Sequence, residues 1–462
     1  MVKYTDLVSD TICSQITPGG YSGVSVIRVS GPETLQVLHK ICPSLDGKVE
    51  THRVQLVELV DPNTKEKLDS VLLTYFTEGR SFTGDHVVEI SCHGNPLLVQ
   101  NIISLLLSLG CRLAERGEFS FRAFYNGKLD LVQSESINQL IHSSTRQASK
   151  VALGQLGGGL SETFKELESR LLQVLGQLEA SIDFSEADIE TEPYDDCILK
   201  VKVLISKVEE LISSYDIGKN LMSRWNVTLA GETNVGKSSL FNSLFQKDIA
   251  IVSSQPGTTR DIVSQDTFLG NHSIQFFDTA GLRETPGEIE KLGIAKTKSA
   301  VGAASLILWV FDATTNFPKS DLKISDSQSV IFVANKIDLL DPAKRVQLSE
   351  SFKDLAEGRH CLFVSAQTGD GIEDLKSLIT ETLSGHNSES PAEVVSQARH
   401  YDHLVKIHVY IEEGLALLNR GESPDLISQE FQGALQELNS LLGKDYDDEV
   451  LDTIFREFCL GK

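Results

Sequence analysis

Three changes of hydrophobic rhythm along the 462 residues predict a multidomain chain. Residues 1–119 mix strand-like and helix-like runs, which suggests an α+β N-terminal domain. Residues 120–218 and 386–462 repeat apolar side chains at helical spacing, the mark of an all-α helical domain in two segments. Residues 219–385 alternate short apolar runs with helical stretches, as an α/β domain inserted between those segments would.

In the first stretch, SGVSVIRVSG, HRVQLVELV, DSVLLTYF and HVVEISCHG read as strands, rich in β-branched residues. TLQVLHKI and PLLVQNIISLLLSLG read as helices. Beyond residue 120, Leu156, Leu160, Phe164, Leu167, Leu171, Leu175, Leu178 and Ile182 recur at three- and four-residue steps and fall on one helix face. Val201, Leu204, Val208, Leu211 and Tyr215 repeat the device. EADIETEPYDD, between the two stripes, holds six acids, a proline and no base, and reads as a solvated loop.

WNVTLA, SIQFF, SLILWVF, SVIFVA and CLFV then follow as parallel strands buried on both faces do. After HNSESPAE, helical spacing returns. Leu404, Ile407, Ile411, Leu415 and Leu418 form one stripe, Ile427, Phe431, Leu435 and Leu438 a second, and Val450, Ile454 and Phe458 a third. Each helical block has an apolar face that it cannot bury alone. One helical domain interrupted by the α/β domain is the economical solution.

A net charge of −23 and a pI near 4.9 make the surface as a whole repel nucleic acid, so an RNA contact needs a local basic patch or a second protein. The seven cysteines (Cys13, Cys42, Cys92, Cys111, Cys197, Cys361, Cys459) contain no C-x-x-C pair and no zinc spacing. With no signal-peptide pattern in MVKYTDLVSDTI, they suggest reduced thiols in a cytoplasmic protein. No apolar run approaches membrane-spanning length.

Residues 231–238 read G-E-T-N-V-G-K-S, a phosphate loop between a strand and a helix. Backbone N–H groups at the helix start face the anion, Lys237 reaches the β- and γ-phosphates, and Ser238 offers its hydroxyl to Mg²⁺. Asn335, Lys336 and Asp338 form N-K-x-D after SVIFVA. The Asp carboxylate matches the guanine N1–H and 2-amino donors, and adenine would leave it unpaired. Ser365 and Ala366 follow CLFV, where a backbone N–H meets guanine O6. GTP is therefore the nucleotide. Asp278, Thr279, Ala280 and Gly281 suit water-mediated Mg²⁺ binding and γ-phosphate sensing. In Thr258-Thr259-Arg260-Asp261, Thr259 is the expected switch threonine on Mg²⁺. Leu282 stands where signalling GTPases carry a water-orienting glutamine, so either hydrolysis is negligible or another polar group supplies that function, and RETPGEIEKLGI offers the carboxylates of Glu284, Glu288 and Glu290.

With these residues in hand, the chain resembles the MnmE (TrmE) family of tRNA modification GTPases over its whole length. The G-x-x-N-x-G-K-S, G-T-T-R-D and D-T-A-G-L-R-E motifs carry the likeness, together with Phe458-Cys459-Leu460-Gly461-Lys462, which is similar to the family's F-C-I-G-K ending. The resemblance implies a folate-binding, dimerising N-terminal domain and an inserted Ras-like P-loop G domain. It also implies partnership with the flavoprotein MnmG (GidA) in a heterotetramer, with FAD and NADH supplied by that partner. The substrate would be the wobble uridine of certain tRNAs, modified at C5 with a one-carbon unit from 5-formyl- or methylene-tetrahydrofolate.

Carried over residue by residue, the GTP contacts fall on Asn234, Val235, Gly236, Lys237, Ser238 and Ser239. Further contacts fall on Ser253, Ser254, Gln255, Pro256, Gly257, Thr258 and Thr259. Glu290 takes the role of the water-orienting carboxylate. Potassium ligands fall on Asn234, Ser253, Gln255 and Thr258, hard oxygen donors suited to a large monovalent cation that could do an arginine finger's work. Folate contacts fall on Arg28, Glu89, Lys128 and Lys462. Cys459 is either a nucleophile or a residue that fixes its segment near the folate, while Cys92 and His93 read as structural. The alternative reading is a GTP-dependent ribosome-assembly switch. Such factors usually carry a basic RNA-binding module, and none is evident here.

Overall fold

The computed structural model describes residues 9–45, 49–143, 145–184, 195–222, 225–232, 234–245, 263–269, 272–278, 304–315, 329–341, 344–345, 348, 359–384, 393–446 and 448–462. They form two compact units. One comprises 1–142, 150–215 and 391–462, the other 143–149 and 216–390.

The first unit holds a six-stranded sheet of β1 (Ile12–Gln15), β2 (Ser22–Ser30), β3 (Val54–Val60), β4 (Lys67–Phe76), β5 (Val87–Gly94) and β6 (Arg112–Leu113). Their order is β3-β4-β5-β2-β1-β6, antiparallel except for β1 and β6. Side chains alternate across a strand. Ile27 and Val29 of β2 therefore pack with α1 (Thr34–Ile41) and α2 (Pro96–Ser108), whereas Arg28 points to the opposite face. β1 and β6 carried no sequence signal, because four and two residues are too few to show a period.

Helices α3 (Glu118–Tyr125), α4 (Leu131–His142), α5 (Arg146–Leu156), α6 (Gly159–Phe184) and α7 (Asp195–Met222) follow. Leu160, Phe164, Leu167, Leu171, Leu175 and Leu178 of α6 are buried with Val201, Leu204, Val208 and Leu211 of α7. The second helical segment comprises α10 (Ala398–Arg420), α11 (Pro424–Leu442) and α12 (Asp448–Arg456). Leu404, Ile407, Ile411 and Leu418 of α10 and Ile427, Phe431 and Leu438 of α11 join the same core. At about 1.5–3 kcal/mol per buried Leu, Ile or Phe, this shared core holds the two distant segments together. Tyr215, Leu415 and Leu435 pack on its margin, half-buried.

Two details differ from the sequence reading. Leu156 ends α5 and packs with Phe121 and Phe455, because the chain turns at 157–158 before α6 begins. The buried stripe of α12 is Leu451 and Phe455, continued by Phe458, one position off the expected Val450 and Ile454. The rings of Phe121 and Phe124 draw Phe455 inward and leave Val450 exposed. Ile182 and most of EADIETEPYDD lie outside the described side chains, and Asp195 and Asp196 open α7.

A buried clamp joins the two helical segments. Arg399 donates to Glu135 Oε1 and Oε2 at 2.7 and 2.9 Å, and His400 Nε2 meets Oε2 at 2.6 Å. Burial would raise the Glu135 carboxyl, but the charges of Arg399 and His400 outweigh it and hold it near 2.

The second unit is a sheet ordered β12-β11-β10-β7-β9-β8. Its strands are β7 (Trp225–Ala230), β8 (Val263–Leu269), β9 (His272–Asp278), β10 (Leu306–Asp312), β11 (Ser329–Asn335) and β12 (His360–Phe363). All pairs are parallel except β8 with β9. Helix α8 (Lys237–Phe245) follows β7, and α9 (Ile372–Ser384) follows β12. The strand β8, VSQDTFL, escaped the sequence reading because its polar residues dilute the apolar pattern. β7 lies between β9 and β10, so its C-terminal end opens at a switch in strand order, where ligands of open α/β sheets bind.

Candidate nucleotide and folate-type sites

The loop from β7 to α8 brings Asn234, Val235, Gly236 and Lys237 to that switch point. Lys237 Nζ donates to the carbonyls of Gly231 and Glu232 at 2.9 and 2.6 Å, which curls the loop back over the helix start. Gly236 has φ +94, and a Cβ there would meet Asn335 Nδ2 at 2.4 Å. Glycine is required at that position.

Asn335 ends β11 and ties three segments together. Its amide donates to Val235 O at 2.9 Å, and its Oδ1 accepts from Ala366 N at 3.0 Å. Lys336, at φ 68, donates to Asn234 O at 2.8 Å and pairs with Asp312 at 2.7 Å. Burial would raise the Asp312 carboxyl, but its bonds to Lys336 and Thr314 lower it. Asp312 lies opposite Asn335 in the parallel register of β10 and β11. The sequence reading passed over it; its place at the C-terminal end of an apolar strand was the available signal. Asp338 accepts the Ser365 hydroxyl at 2.6 Å. The N-K-x-D segment, the 365–366 turn and the phosphate loop are thus one hydrogen-bonded frame.

Several expected residues fall outside this frame's description. Ser253, Ser254, Gln255, Pro256, Gly257, Thr258, Thr259, Thr279, Ala280, Gly281, Leu282, Glu284, Glu288 and Glu290 lie outside the described residues, as does the side chain of Asp278, whose backbone ends β9. Among the described residues, no helix is long and apolar enough to cross a membrane.

In the first unit, β2 and β5 place Arg28 directly opposite Glu89. Arg28 donates to Glu89 Oε1 from Nε at 3.1 Å and from Nη2 at 2.8 Å. Its guanidinium lies over the rings of Phe82 and Phe119, 5.0 and 5.4 Å from their centroids, two contacts absent from the sequence reading. Lys462 reaches this pair from the far end of the sequence. Phe119 N–H donates to Lys462 O at 3.2 Å, and Gly461, at φ +92, lies so close to Gln15 O that a Cβ would sit 2.5 Å from it. Burial lowers the pKa of the Lys462 ammonium, the Arg28 charge adds to that, and Glu89 opposes it.

Lys128 is exposed, donates to Gly79 O at 3.0 Å, and makes no hydrogen bond or ion pair with these three. Cys459 is half-buried, with Sγ 3.8 Å from His142 Nε2. Cys92 is buried, its thiol pushed up to about 11 mainly by desolvation, and His93 pairs with Asp69 at 2.8 Å. An inert thiol and a surface ion pair fit the structural roles expected of both.

A phosphate loop framed by N-K-x-D on a mostly parallel sheet, in a chain that also holds an α+β domain fused to a helical core, defines a multidomain GTPase. Residues 131–459 match the family model of the MnmE helical domain, and residues 11–128 that of the GTP-binding protein TrmE N-terminus. The chain is similar to the tRNA modification GTPase MnmE of Bdellovibrio bacteriovorus, with 39% identity over 99% of this chain and 98% of that protein. The same enzyme from Moorella thermoacetica is 35% identical over 99% of this chain and 100% of its own length. That from Thermoanaerobacter pseudethanolicus is 34% identical over 99% and 100%. The chain belongs to the MnmE family of tRNA modification GTPases.

Proposed function

We propose that this GTPase works with the flavoprotein MnmG to add aminomethyl or carboxymethylaminomethyl groups to C5 of the wobble uridine of certain tRNAs. The observation that carries the reading is the Arg28–Glu89 pair on one face of the N-terminal sheet, whose guanidinium lies over Phe119, the residue whose N–H donates to Lys462 O at the chain end. Arg28 directs both of its hydrogen bonds to Glu89 Oε1, so Oε2 can accept from the guanidine-like edge of a pterin. Lys462, with Lys128 further along the surface, would meet the glutamate tail. A 5-formyl- or methylene-tetrahydrofolate bound there supplies the one-carbon unit, and FAD and NADH come with the partner.

At the nucleotide frame, Asn335 and Asp338 select guanine while Lys237 and the amides at the start of α8 hold the phosphates. Ser238 and Thr259, with Asp278 through water, would hold Mg²⁺. Asn234, Ser253, Gln255 and Thr258 would hold K⁺. Asn234 sits at φ 64, and its carbonyl accepts from Lys336, a backbone already committed to a shaped, oxygen-rich turn. Glu290 would orient the attacking water where Leu282 cannot. The reading includes a homodimer through the N-terminal domain, a heterotetramer with MnmG, and a cytoplasmic location. Mass spectrometry of wobble nucleosides in tRNA from cells lacking the chain tests it. Loss of the C5 substituents is expected, and unchanged wobble uridines would overturn it.

A further inference from the structure

Arg28 and Glu89 do not pair as a guanidinium and a carboxylate pair when left to themselves, fork to fork with one N–H on each oxygen. Nε and Nη2 both go to Oε1, at 3.1 and 2.8 Å, and Oε2 takes neither. The Arg28 side chain keeps only 10% of its surface, so competition from solvent does not account for the offset.

Two rings account for it. The Phe82 and Phe119 centroids lie 5.0 and 5.4 Å from the guanidinium carbon. A cation's attraction to a ring face strengthens as water is excluded, so the two rings together fix the guanidinium plane and the direction of its N–H groups. Phe119 belongs to α3 and is fully buried with Ile12 and Ala114. Phe82 is half-buried in the turn between β4 and β5, and its position depends on that turn.

The turn is fastened from several sides. Gly79 N–H donates to Gly84 O at 2.7 Å and closes it across its base. The Thr83 and Ser30 hydroxyls meet at 2.8 Å, which ties it to β2 two residues beyond Arg28. Asn126, just after α3, donates from its amide to Thr83 O at 2.7 Å and to Asp85 Oδ1 at 3.2 Å. Gly84 has φ +90, and a Cβ there would meet Asn126 Cβ at 2.7 Å, so the close approach of Asn126 requires glycine.

We infer that Phe82 is a positioning residue of the folate site, and that Asn126 acts through it by holding the turn. The inference rests on the folate reading above. The rings keep Arg28 on one oxygen of Glu89 and reserve Oε2 for the N–H edge of the pterin. Without the Phe82 ring, the guanidinium can swing into the two-fork arrangement and consume the acceptor that the ligand needs.

Calorimetry on the full-length chain with 5-formyl-tetrahydrofolate tests this. Phe82→Leu keeps apolar bulk but removes the ring, and should weaken binding about tenfold. Phe82→Tyr keeps the ring face and should bind within about twofold of the wild type. Asn126→Ala should weaken binding about threefold to fivefold, and should add almost nothing in the Phe82→Leu background, because both act on one contact. GTP affinity and turnover should hold throughout, with thermal melting recorded for each variant. Unchanged binding by Phe82→Leu, an equal loss in Phe82→Tyr, full addition of the Asn126→Ala loss, or a parallel fall in GTP affinity would each overturn the inference. If Phe82→Leu does not fold, Asn126→Ala decides alone, and unchanged affinity overturns it. A wild type that does not bind the folate removes the folate reading itself, and this inference with it, an outcome distinct from a binding wild type whose variants bind equally well.

Discussion

Replacing Glu135 with glutamine removes the anion that Arg399 and His400 share across 264 and 265 residues of sequence. The folded carboxyl lies near 2 against an ordinary 4.5, a difference worth about 3 kcal/mol. The folded value is the depressed one. The contribution is therefore complete above the unfolded value, from about pH 5 upward, and is lost as pH falls toward 2. Glu135→Gln leaves a largely buried guanidinium facing a neutral amide and should cost about 3–5 kcal/mol near neutral pH. Urea titrations followed by helical circular dichroism should show this gap narrowing, with the carboxylate's share down to about 2 kcal/mol near pH 3.5. Burial also lowers the pKa of His400, so acid destabilises the wild type through that ring as well, in the same direction. A gap below about 1 kcal/mol at neutral pH, or one that stays constant as pH falls, would refute the assignment of the clamp.

Gly461→Ala places a methyl against Gln15 O at 2.5 Å in a backbone region hostile to side chains, and should weaken tetrahydrofolate binding about tenfold or more while GTP affinity holds. Calorimetry with folate and GTP in turn checks both halves of that statement. Lys336→Met severs the bonds to Asn234 O and Asp312 and should lower guanine-nucleotide affinity about tenfold to a hundredfold in a fluorescent-nucleotide assay, with Asp312→Asn giving a smaller loss of the same sign. GTP turnover should be faster in potassium than in sodium buffer, and equal rates would remove Asn234 from the role of ligand. Glu290→Ala should cut turnover about a hundredfold with GTP binding nearly intact, and unchanged turnover would reject it as the water-orienting group.

The sequence made the nucleotide frame legible because its chemistry is local. Phosphate loops and N-K-x-D need fixed residue types at fixed short spacings, whatever the rest of the chain does. The same locality hid Asp312, whose partner Lys336 is 24 residues away and is brought near by strand register. Arg28 and Glu89 were visible only through family likeness, since a cross-strand pair separated by 61 residues leaves no spacing to read. Periodicity found the long helices and most strands, then slipped by one position on α12. Nine residues contain too few turns for Val450 and Ile454 to be told from Leu451 and Phe455. The rings of Phe121 and Phe124 settle that choice, and they belong to tertiary packing rather than to pattern.

The core that unites α6 and α7 with α10 and α11 also sets a timetable for synthesis. Val208 and Leu211 leave the ribosome roughly 200 residues before Leu404 and Ile407 can meet them, a wait on the order of 10–40 s at ordinary elongation speeds. Loop closure over that length adds little in free energy, because its cost grows only with the logarithm of the span. The difficulty is temporal. Through that interval two long helices show water, and each other's neighbours on a polysome, a leucine-rich seam with no native partner. The intervening domain can complete its own sheet meanwhile. The nascent helical half is therefore the point at which a chaperone, or slow passage through the last quarter of the message, should matter most to yield.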